Sequence, residues 1–200
     1  MSLLEMLGGQ LDDQAIQQMS QQLGIGSQET SRAVSAALPM LVGALAKNTS
    51  QSGGAQALAG ALDRDHDGSV LDDVAGFLGQ GGQGGSGQAI LGHILGGRQG
   101  GAEQAISRSA GVDQGSAGQL LSMLAPLVMG ALAKQKQQSG LGAGDLAAML
   151  GQERQRVEQS SSGAGSLLSQ VLDRDGDGDI SDDLAKIGGN LLGSFLSGRR

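Results

Sequence analysis

The sequence predicts an all-α fold: a duplicated short-helix bundle with two helix-loop-helix acidic metal-type loops and Gly-rich linkers. Three observations predict it. Apolar residues recur at helical spacing, as in Val34, Leu38, Leu41 and Leu45 at steps of four, three and four. The segment from Leu38 to Lys47 returns as Ala125 to Lys134 at an offset of 87. Finally, a helical pattern, an acidic loop and a second helical pattern follow one another twice, around residues 63–73 and 173–183.

Taken in order, Leu3-Leu4-Glu5-Met6-Leu7 is a short helix stopped by Gly8-Gly9, and a second runs from Leu11 to Leu23 with Leu11, Ala15, Ile16 and Met19 on one face. Gly24 ends it. Ser27 is the expected N-cap of the next helix, and Pro39 is expected to kink or split that helix because it removes a backbone donor. Ala55 to Leu62 leads into the first acidic loop, and Asp72 onward leads out of it. The Gly/Gln-rich residues 80–89 read as a flexible linker. A second helical unit then occupies 90–158, in which Gly111-Val112 answers Gly24-Ile25. Within it, 151–157 is a charged helical piece. Residues 159–200 form the last helix-loop-helix. The domain reading is therefore 1–79, linker 80–89, 90–158 and 159–200.

Composition limits the function classes. Hydrophobic residues make up 38% of the chain and aromatic ones only 1%, so Leu, Ala, Val, Ile and Met must build the core. Such a core is thin, and help from a metal or from self-association is expected. The absence of cysteine excludes disulfides, thiolate metal sites and a cysteine nucleophile. No signal peptide is evident at the start, and the apolar stretches 36–46 and 125–133 fall short of the ~20 residues of a membrane span. A cytoplasmic protein is expected, with leaderless secretion as a remote alternative. Net charge is −7, but the two loops hold 11 of the 20 acidic and 2 of the 13 basic residues, which leaves the rest of the chain at +2. Without a basic cluster or an aromatic platform, no nucleic-acid partner is expected. His66 and His93 have no cysteine or paired histidine beside them, and no glycine run forms a phosphate loop, so no enzyme is expected.

The two loops carry the chemistry. Calcium takes about six to eight oxygens, and an EF-hand loop supplies them from positions one, three and five, the carbonyl at seven, a water at nine and a bidentate carboxylate at twelve. Asp63, Asp65 and Asp67 occupy the first three, as do Asp173, Asp175 and Asp177 in the second loop. Gly68 and Gly178 take the sixth position, Ser69 and Asp179 the seventh, and Val70 and Ile180 the inward eighth. Position twelve departs from the pattern, with Val74 and Leu184 in place of glutamate. The nearest acids are Asp72 and Asp73, and Asp182 and Asp183. They either reach the ion or cap the outgoing helix. Ca2+ is the expected cofactor, with Mg2+ as the rival.

The Gly-Ile turn, the segment Ala37-Leu38-Pro39-Met40-Leu41-Val42-Gly43-Ala44-Leu45-Ala46-Lys47 and the stretch Leu62 to Asp73 together resemble a bacterial family of unknown function, related to the YidB-like proteins. The loops separately resemble EF-hand or dockerin calcium loops. The expectation is a non-enzymatic divalent-cation-binding helical protein. The alternative is a helical self-association or scaffold module, with a homo-oligomer or protein partner, whose acidic loops only cap helices.

Overall fold

Capping chemistry sets where the helices begin. In the computed structural model, which describes residues 2–65, 68–79 and 84–160, Ser2 opens α1 (Leu3–Gln10) with a reciprocal box. Its hydroxyl accepts from the Glu5 N–H at 3.2 Å, and the Glu5 carboxylate accepts from the Ser2 N–H at 2.7 Å. Asp12 caps α2 (Asp13–Leu23) by accepting from the Ala15 N–H at 2.9 Å. α3 (Ser27–Thr49) is capped one residue earlier than expected, at Gly26, whose carbonyl accepts from both the N–H and the hydroxyl of Thr30 at 2.9 Å. Thr30 is fully buried, and these bonds satisfy its hydroxyl there.

α4 (Gly54–Asp65), a 3-10 turn at Ser69–Leu71 and α5 (Val74–Gly79) follow. Then come α6 (Gly84–Leu95), a 3-10 turn at Gly96–Arg98, α7 (Gln99–Ala110), α8 (Gln114–Ser139) and α9 (Ala143–Ser160). No strand occurs among the described residues. The chain divides into two units, Met1–Gln155 and Arg156–Arg200. Helices from both sides of the Gly/Gln stretch pack within the first unit, α3 against α7 and α8 among them.

α8 is the axis of this unit. It is touched by α1, α2, α3, α4, α6, α7 and the 69–71 turn, and from Leu120 to Ala133 every residue except Ser122 is buried. By length and hydropathy α8 passes for a membrane span, longer than the apolar run 125–133 suggests, yet 78% of its most apolar window is buried inside the protein. Neighbouring helices account for that apolarity.

Neither proline splits its helix: α3 runs on through Pro39 and α8 through Pro126. Each proline deprives the carbonyl four residues back, at Ser35 and Ser122, of its helical donor. At Ser122 that oxygen is approached by Gly87 of α6 so closely that a Cβ on Gly87 would collide with it. The Gly/Gln stretch is thus helical from Gly84, and Gly87 serves close packing against α8 rather than flexibility.

The two Pro-bearing helices are entered by matching turns. Gly24 (φ 65°) and Gly111 (φ 75°) are both left-handed. The Ser20 and Ser107 hydroxyls both donate to the carbonyl just beyond, Ile25 and Val112, at 2.6 Å. The left-handed Gly53 and Gly140 beyond α3 and α8 are also 87 residues apart.

Candidate functional site

The first acidic loop is built from the end of α4, the 69–71 turn and the start of α5. Leu58 and Leu62 anchor α4 in the core, and the helix continues to Asp65 instead of stopping at Leu62. Asp63 and Asp65 therefore lie in the last helical turn, where the negative dipole end disfavours carboxylates. The protein answers this at Asp63 with the Lys136 ammonium of α8, which pairs with Oδ1. His66, Asp67 and the side chain of Asp65 lie outside the described residues.

Gly68 turns the chain. Its φ of 85° and ψ of −3° lie in the left-handed region, as the sixth position of a cation loop demands. A Cβ here would also sit 3.3 Å from the Gly130 carbonyl and from Lys134 Cβ, so the backbone of the loop lies directly on α8. The contact is mutual. Val70, half-buried at the eighth position, lies so close to Gly130 that a Cβ on that glycine would collide with its Cγ1. Leu71 is buried beside it.

Beyond the turn, the acids serve the protein itself. The Ser69 carbonyl accepts from the Asp72 N–H at 2.9 Å, closing the 3-10 turn. The Asp72 carboxylate accepts from Lys134 Nζ at 3.0 Å. Asp73 caps α5: its Oδ1 accepts from the Gly76 N–H at 2.8 Å, and its carbonyl accepts from the Phe77 N–H at 3.0 Å. Among the described residues, no three His, Cys, Asp or Glu side chains converge as a metal group. The second loop, with Asp173, Asp175, Asp177, Asp179, Asp182 and Asp183, lies outside the described residues, as do its flanking helical patterns.

His93 is exposed on α6, and its carbonyl accepts from Asn48 Nδ2 at 3.2 Å, a backbone tie between α3 and α6. Sequence reasoning missed Lys134, Lys136 and Gly130. Their signal was the +2 balance outside the loops, together with two of the four lysines falling within three residues.

A family model described as a bacterial protein of unknown function, DUF937, matches residues 5–135. The chain belongs to the DUF937 family. The DUF937 match takes in α3, the whole first loop and α8 as far as Gln135, so it ends inside α8 between Lys134 and Lys136. No curated protein and no solved structure matches the chain.

Proposed function

We propose that this DUF937 protein is a non-enzymatic divalent-cation-binding helical protein, made of a duplicated helical unit and two EF-hand- or dockerin-like loops that take Ca2+ or Mg2+. One observation carries the reading. Gly68 adopts the left-handed turn at the sixth position, directly after the alternating Asp63, Asp65 and Asp67 and before the inward Val70. Five carboxylates within eleven residues repel one another unless a cation is close, and the same arrangement recurs at 173–183.

In this reading Asp63, Asp65, Asp67 and the Ser69 carbonyl are the ligands. Asp73 caps α5, and the vertex that glutamate fills in an EF-hand falls to Asp72 or to water. A hard ion held with fewer charged ligands binds more weakly than in sensor loops, whose dissociation constants are about 10⁻⁷ to 10⁻⁵ M. Calorimetric titration of chelator-stripped protein with Ca2+ and with Mg2+ tests this: saturable heat supports it, and no heat up to millimolar ion overturns it.

A second reading, a scaffold module with structural loops, draws on the Asp73 cap and the two lysine bridges. It expects no heat in the same titration, and association that grows with concentration in sedimentation.

A further inference from the structure

We draw no further inference here: the strongest candidate, the half-buried surface patch of Ala36, Met40 and Gly43 on α3, whose Gly43 holds the place that Gly130 holds under the first loop on α8, carries nothing because nothing in the structure shows what covers it.

Discussion

Gly43 and Gly130 hold the same place in the repeated segments, yet a Cβ on Gly43 would meet nothing within 4 Å while one on Gly130 would strike Val70. Glycine inside a helix costs about 0.5–1 kcal/mol relative to alanine. Gly43→Ala should therefore stabilise the protein by about that much in urea unfolding, whereas Gly130→Ala should destabilise it by about 1–3 kcal/mol, as overpacking does. Asp113 is a second residue with a definite consequence. The Ser116 hydroxyl, at 2.5 Å, and then the Ser116 N–H, at 2.9 Å, hold its carboxyl below the usual aspartate range. A depressed carboxyl contributes stability that is complete above its unfolded pKa, near 4, and is lost as pH falls through the lower folded value. Thermal unfolding of Asp113→Ala should show a lower Tm than the parent at pH 7, and the gap should close as the pH drops below about 4.

At the scale of elements, α5 shows how little holds a six-residue helix. Isolated helices this short are unstable in water. Here α5 is fixed by the Asp73 cap, by the buried Val74 and Leu78, and by Gln22 of α2 donating to the Leu78 carbonyl. Asp73→Ala should cost about 1 kcal/mol, and Asp73→Asn less, because the amide oxygen still accepts from the Gly76 N–H. Cation affinity measured on Asp73→Asn should equal that of the parent if Asp73 caps, and should fall if it coordinates.

Elements were legible where the cause lies nearby in sequence. The stripe Val34, Leu38, Leu41 and Leu45 marks α3 because burial follows helical spacing, and Gly24 marks the end of α2 because a left-handed cap wants glycine. What was not legible depends on distant partners. Glycines at 84–88 read as linker until Ser122 is seen against Gly87, and α4 reads as ending at Leu62 until Lys136 is seen at Asp63. Pro39 looks like a break because local rules omit the packing that sustains a long buried helix.

At the scale of the whole first unit, the organising fact is that one helix, α8, serves both as the core axis and as the platform of the first loop. Among the described residues leucine is the commonest buried side chain and alanine the next, and Gly87 and Gly130 let backbones approach closely, so an aromatic-poor chain still buries its apolar residues. The all-helical class was readable from periodicity. The platform was not, because Gly130 looks identical to Gly43 until the loop is laid against it. The same platform places two lysines within reach of the acids, so the loop's charge is offset by the fold as well as by any ion.

The most direct measurement is calorimetric titration of the chelator-stripped full chain with Ca2+, repeated on the Asp63→Asn and Asp65→Asn double variant. Saturable heat corresponding to two ions per chain is expected in the parent, and to one in the variant. Absence of heat in the parent up to millimolar Ca2+ and Mg2+, or an unchanged stoichiometry in the variant, would contradict the reading of the loops as cation sites.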